Sequence, residues 1–205
     1  GVQSTNNETI SAIGRTTDFS QLSKVVKTIK SYKNIHQHLD LIAGLPYENY
    51  ESFKDSFNDV YSLKPEKLQL GFLKLLKGSG LRLSKEMYGY KYIDEPPYEV
   101  LESKYINYEE LIKLKEIEDL VEKYFNEGYF EFTLDYLILK HYTAPFEFYE
   151  DLSKFWDSKG FYKISHSRNG LYDILIEFIY YKGFEDSIYI TQILKFNENI
   201  IESIS

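Results

Sequence analysis

The stretch His38-Leu39-Asp40-Leu41-Ile42-Ala43-Gly44-Leu45-Pro46 reads as a β-strand with one polar guest. It is apolar apart from Asp40, and it stops at Gly44 and Pro46. Glycine permits the turn there, and proline has no N–H for a sheet ladder. A carboxylate flanked by Leu39, Leu41 and Ile42 is costly unless paired or hydrogen-bonded. Such a strand delivers a polar group to a partner or to a ligand. Parallel α/β folds bind ligands at the C-terminal ends of their strands, which is where this run ends.

The flanks repeat the same grammar. Gly1–Ser4 reads as the tail of a strand and Asn6–Arg15 as a short helix. Asp18 offers an N-cap with Gln21 three residues on. From Phe19 to about Tyr32, Leu22, Val25, Val26 and Ile29 form one apolar helical stripe. A helix over Tyr50–Leu63 packs through Tyr50, Phe53, Phe57, Val60 and Tyr61. Lys67–Leu76 then reads as a strand covered on both faces. Alternating strands and helices over residues 1–90 predict parallel βαβ units with right-handed crossovers.

Beyond Leu76 the pattern changes. Lys77-Gly78-Ser79-Gly80 is a turn without the order of a Walker phosphate loop. Leu81–Met87 gives a helical turn or two, and Pro96-Pro97 forbids helix locally. Asn107 with Glu110 caps a helix whose stripe is Leu111, Leu114, Ile117, Leu120, Val121 and Tyr124, ending at Gly128. Further helices are expected at Phe130–Lys140, Pro145–Lys159, Leu171–Tyr181 and Ser187–Phe196. Ile174–Tyr181 also has the composition of a strand. Residues 91–205 therefore read as a mostly helical domain.

A net charge of −8 over 205 residues argues against a nucleic-acid surface. No apolar run approaches the ~18 residues that span a bilayer, so no membrane partner is expected. The chain has no cysteine, which excludes disulfides and thiolate metal sites within it. Its four histidines, His36, His38, His141 and His166, do not make a zinc set, and no metal ligand is assigned. Cytoplasm is the expected compartment. Arg15 is a plausible ion-pair partner for Asp40. Glu48, Glu51 and Asp55 read as the solvated face of a helix, Lys74 as a surface lysine, and His141 as surface or interhelical.

These motifs resemble the radical S-adenosylmethionine (radical SAM) superfamily, in the branch related to coproporphyrinogen dehydrogenase. That branch has a Gly-Val-Gln strand, an arginine ending the next helix, and a strand of the form Asp-Leu-Ile-x-Gly-Leu-Pro. The matching residues here are Gln3, Arg15 and Asp40, and the resemblance implies contacts from them to S-adenosylmethionine. It also places Ala43 and Leu73 at the same cavity. Residues 1–80 look more specifically like radical SAM proteins of the cobalamin-binding-domain type, with Asp94-Glu95-Pro96-Pro97-Tyr98 opening their uncharacterised helical C-terminal domain.

The fold expected is a partial (half) TIM-like α/β barrel over residues 1–90, followed by a mostly α-helical domain over 91–205. The resemblance implies a parent iron–sulfur oxidoreductase or methyltransferase-like enzyme that uses S-adenosylmethionine, a [4Fe-4S] cluster and, through an upstream domain, cobalamin. The cluster ligands would precede Gly1, so the chain alone is expected to be inactive. It would contribute part of the cofactor and substrate pocket, for a small molecule the sequence does not specify. No residue is singled out as catalytic. An exposed half-barrel edge predicts a homo-oligomer. Two rival readings are a non-catalytic α/β plus helical interaction module, and a barrel enzyme using Asp40 and Arg15 for acid–base work.

Overall fold

The computed structural model describes residues 1–204, of which 197–204 by backbone alone. The chain divides into two compact units, Gly1–Glu118 and Asp119–Ser205. It is mostly helical with a small parallel sheet.

The first unit is built around that sheet. β1 (His38–Ala43) pairs in parallel with β2 (Lys67–Phe72), with Asp40 opposite Gln69. On its other side β1 takes a parallel bridge from Gln3 to Leu41, so the expected strand tail is present. Helix α1 (Asn7–Ala12) follows, capped by the Asn6 side chain. In α2 (Phe19–Ser31) the Asp18 side chain accepts from Gln21 N, as its spacing predicts. α3 (Tyr50–Ser62) starts on a reciprocal capping box between Asn49 and Ser52 and packs against β1. Its Phe53, Phe57, Val60 and Tyr61 are buried.

Two expectations change here. The strands are covered on one face only: Leu39, Leu41, Ala43, Leu68 and Leu70 are buried, whereas Asp40, Ile42 and Gly71 are half-buried and Gln69 is exposed. The stripe of α2 is also incompletely used, since Val26 is buried while Val25 is exposed. The first follows from period, since side chains alternate along a strand and a sheet covered on one face leaves every second residue open. In α2 only the narrow face through Val26 meets the core, and Val25, about 100° round the helix, points away.

Two short helices follow the sheet, α4 (Gly80–Leu83) and α5 (Lys85–Tyr88). They lead to an antiparallel pair absent from the sequence reading, β3 (Lys91–Tyr92) and β4 (Val100–Glu102). Its return strand bridges back to Lys74 through Glu99, and Val100 N donates to Leu73 O at 2.9 Å. These strands are too short for a periodic signal, and long-range pairing makes them. α6 (Tyr108–Val121) begins as expected, with Asn107 and Glu110 capping each other reciprocally, and the unit boundary falls inside it.

The second unit continues from α6 through a π-helical turn at Glu122–Asn126 into α7 (Glu131–His141), α8 (Pro145–Lys159), α9 (Arg168–Lys182) and α10 (Ser187–Ile204). The segment Ile174–Tyr181 is helical. Its branched residues fill a core rather than a ladder: Ile174, Leu175, Phe178 and Ile179 are buried. Tyr124 stacks edge-on to Trp156, and its hydroxyl donates to Leu171 O at 3.2 Å. Pro145 stands in the first turn of α8, where its missing N–H costs nothing. Gly160 and Gly183 close α8 and α9 in the left-handed conformation. No helix among the described residues is long and apolar enough to cross a membrane.

Candidate functional site

The half-open face of the sheet carries the first candidate site. Gln3 N donates to Asp40 O at 2.8 Å and Ile42 N to Gln3 O at 2.9 Å, which sets Gln3 beside Asp40. Gln3 has φ 67°, the left-handed region that disfavours any side chain beyond glycine. Its Nε2 donates to Asp40 Oδ2 at 2.5 Å. Gln3 is only 8% exposed, and its Oε1 is buried without a partner. The Asp40 side chain keeps 32% of its surface, so it faces both Gln3 and solvent.

The other expected site residues gather less closely. Arg15 does not pair with Asp40; its Nη1 donates to Gly1 O at 3.2 Å, and the side chain is exposed. α1 ends at Ala12, and Gly14 turns the chain in the left-handed region before Arg15, which directs the guanidinium to the neighbouring backbone. Ala43 is three residues from Asp40, so alternation puts its methyl on the covered face, where it is 1% exposed. Its carbonyl accepts from Leu73 N at 3.0 Å, which joins Ala43 and Leu73 through backbone. Beside them Gly44 has φ 91°, with Leu73 and Val100 packed against it, and its carbonyl accepts from Tyr90 Oη at 3.0 Å. Lys74 is exposed, as expected of a surface lysine.

A second set of groups lies directly behind Gln3, and its key member is buried where its spacing predicts solvent exposure. Glu48 is 1% exposed. Helical spacing with Glu51 and Asp55 does not apply to it, because α3 starts at Tyr50 and Glu48 precedes the cap. Ser4 Oγ donates to Glu48 Oε1 at 2.5 Å and Ser56 Oγ to the same oxygen at 3.0 Å, while Oε2 is buried without a partner. Burial pushes the Glu48 carboxyl up to about 7, against the lowering effect of the two serines. Glu51 and Asp55 are exposed, as expected. The available signal was position: Glu48 sits between Pro46-Tyr47 and the Asn49 cap, a turn rather than a helix face.

In the second unit, His141 Nε2 lies 2.8 Å from Asp186 Oδ1, and Tyr136 Oη donates to Asp186 Oδ2 at 2.7 Å. The His141 ring stacks on Phe184 with centroids 4.0 Å apart. The Tyr136 hydroxyl, with His141 nearby, holds the Asp186 carboxyl below its ordinary range. The same bond pushes the Tyr136 hydroxyl up to about 12. These side chains line an open cavity of about 630 Å³ with Lys140 and Glu185. The interhelical reading of His141 holds. The arrangement reads as a fastening between α7 and the turn into α10.

Comparison with known proteins gives a family. The family model described as "Protein of unknown function (DUF4080)" matches residues 86–199, more than half of the chain, and the chain belongs to that family. Gln3, Arg15, Asp40 and Glu48 all precede the matched span. The chain is also 35% identical over 92 residues to the oxygen-independent coproporphyrinogen-III oxidase-like protein HemZ of Bacillus subtilis, covering 42% of this chain and 17% of that protein. It is 31% identical over 70 residues to coproporphyrinogen III oxidase, anaerobic 1, of Cereibacter sphaeroides, covering 34% of this chain and 16% of that one. The matches thus span about a sixth of the length of each relative.

Proposed function

We propose that this member of the DUF4080 family forms part of the S-adenosylmethionine and substrate pocket of a radical SAM iron–sulfur enzyme, on the open face of its parallel strands. One observation carries the reading: the Gln3 amide is locked to Asp40 through Nε2, with its side-chain oxygen Oε1 buried and unpartnered. An unsatisfied buried acceptor costs about 1–3 kcal/mol, which a donor on a ligand would recover. S-adenosylmethionine offers hydroxyl and ammonium donors, so the residues present fit part of it. Gln3 Oε1 would accept one donor, and the Asp40 carboxylate, a third exposed and 3.6 Å from the Gly1 amino group through Oδ1, would accept another and balance positive charge. The covered face behind them, from Leu39 to Ala43, keeps the strands in place and water out.

The iron–sulfur cluster does not fit this chain's own residues, because there is no thiolate to hold it. In this proposal it is held elsewhere in the parent protein, and the chain by itself is inert. Bound together, the cofactor and a reduced cluster supply one-electron radical chemistry. Sequence identity to an anaerobic coproporphyrinogen III oxidase and to an oxygen-independent coproporphyrinogen-III oxidase-like protein supports that class. Completion of the parallel strands to a half barrel, cobalamin use by the parent and a cytoplasmic location are parts of the same proposal, carried by the resemblance of residues 1–80.

The test is cofactor binding in the intact parent. Gln3→Ala and Asp40→Ala should each weaken S-adenosylmethionine by about tenfold or more, the worth of one hydrogen bond to a buried or charged group. Circular dichroism should remain that of the folded protein. Unchanged calorimetric affinity in both folded variants would overturn the reading.

A further inference from the structure

Ser4 follows Gln3 directly, and its hydroxyl reaches Glu48 and Ser56 in the cluster behind the sheet. It donates to Glu48 Oε1 at 2.5 Å and accepts from Asn6 N at 3.0 Å. Ser56, fully buried on α3, donates to the same Glu48 oxygen and accepts from Thr5 N at 3.1 Å. One carboxylate oxygen therefore fastens the end of the Gln3 strand to a helix. On the other side of Ser4, Gln3 sits in a strained left-handed conformation with its amide against Asp40. A residue in that region persists only where its surroundings over-determine it, so the grip on Ser4 helps decide where the Gln3 amide points.

We infer that Glu48 is a positioning residue whose proton sets how Gln3 is held against Asp40. As a neutral acid, Glu48 accepts from both serines with no charge to solvate. Ionised, it leaves a charge whose second oxygen, Oε2, is buried with no donor. Such a charge is costly until water or a donor reaches it. The strand end at Ser4 is one wall of this enclosure and is covalently joined to Gln3, so relief there moves the Gln3 amide. The titratable groups that face the cluster are Asp59 on α3, which accepts from Thr5 Oγ1 at 2.8 Å, and Asp40 on β1, reached through Gln3. Tyr47 precedes Glu48 in the chain. The consequence for cofactor binding rests on the function proposed above; the coupling itself needs no ligand.

Nuclear magnetic resonance of the 205-residue chain without ligand tests it, from about pH 5 to 9, across the neutral range. The Glu48 side-chain carbon and the Gln3 side-chain amide should shift together with a common midpoint of about 7. Glu48→Gln should flatten the Gln3 response, while Asp40→Asn should leave the response of the Gln3 backbone amide in place. Ser4→Ala should uncouple the two, with Glu48 still titrating and Gln3 silent; this arm decides the matter if Glu48→Gln does not fold. A Gln3 amide that stays still while Glu48 titrates overturns the inference. So does a Gln3 response that survives the loss of Ser4 Oγ or of the Glu48 charge.

Discussion

Gln3 and Asp40 are 37 residues apart in the chain and joined side chain to side chain, Nε2 donating to Oδ2 at 2.5 Å. The bond crosses neighbouring parallel strands, with Gln3 N on Asp40 O at 2.8 Å in the ladder beneath it. It holds a glutamine in a backbone conformation that glutamine seldom adopts, and it leaves one buried acceptor, Gln3 Oε1, open. Asp40 is thus not a freely solvated carboxylate: it accepts from Gln3 and lies 3.6 Å, through Oδ1, from the Gly1 amino group, at a third-exposed position. It is a shared acceptor at the edge of an open face.

Asp40→Ala strands the Gln3 amide. Stability should fall by about 1 kcal/mol, the lower end of the range for an orphaned donor, since a third-exposed Asp40 site admits water. Asp40→Asn keeps an acceptor and should lose less. Urea unfolding of both variants measures the difference, and equal losses would show that the acceptor is irrelevant.

Glu48 makes stability depend on pH in a defined direction. The folded chain keeps its proton up to about 7, and the unfolded chain releases it near 4.5. A raised folded value gives stability that is complete below the unfolded value and lost as pH rises through the folded one. The separation corresponds to about 3 kcal/mol lost between those two values, with a plateau above. Subtracting the urea-unfolding profile of Glu48→Gln from that of the parent sequence should isolate this decline. A flat difference contradicts it.

In the second unit the sign is opposite. The Asp186 carboxyl is held low, first by the Tyr136 hydroxyl. Its contribution is present above the unfolded value and lost as pH falls through the folded one. Tyr136→Phe should therefore lower the melting temperature at neutral pH, with the gap closing in acid as Asp186 protonates. Thermal melts at several pH values would show a constant gap if the hydroxyl acts through packing alone.

Leu175 on α9 is completely buried. Leu175→Ala should cost about 2–5 kcal/mol, the usual range for a core leucine that leaves a cavity. The chain's one tryptophan is Trp156, itself fully buried in the same unit, so its fluorescence reports this unit's unfolding. The denaturation midpoint read by that signal should move accordingly.

Local chemistry was legible in the amino-acid sequence alone. Asp18 with Gln21 and Asn107 with Glu110 start helices where their spacing says, because a cap is satisfied within three residues. Pro145, Gly160 and Gly183 mark helix ends through backbone preferences that need no partner. The His38–Ala43 strand, its turn at Gly44 and the strand tail at Gly1–Ser4 were equally readable from the apolar run and its breakers; that Gln3 pairs with Leu41 was not. Tertiary structure decided what depends on distant partners. Only packing could turn Glu48 inward onto Ser4 and Ser56, which are 44 and 8 residues away. Only the path after α1 could send Arg15 to the Gly1 carbonyl instead of Asp40. The β3–β4 pair likewise exists through its register and its bridge to Lys74, in strands of two and three residues. Caps and turns act within a few residues of chain, whereas burial of a charge and pairing of short strands are set by whichever surfaces the fold brings together.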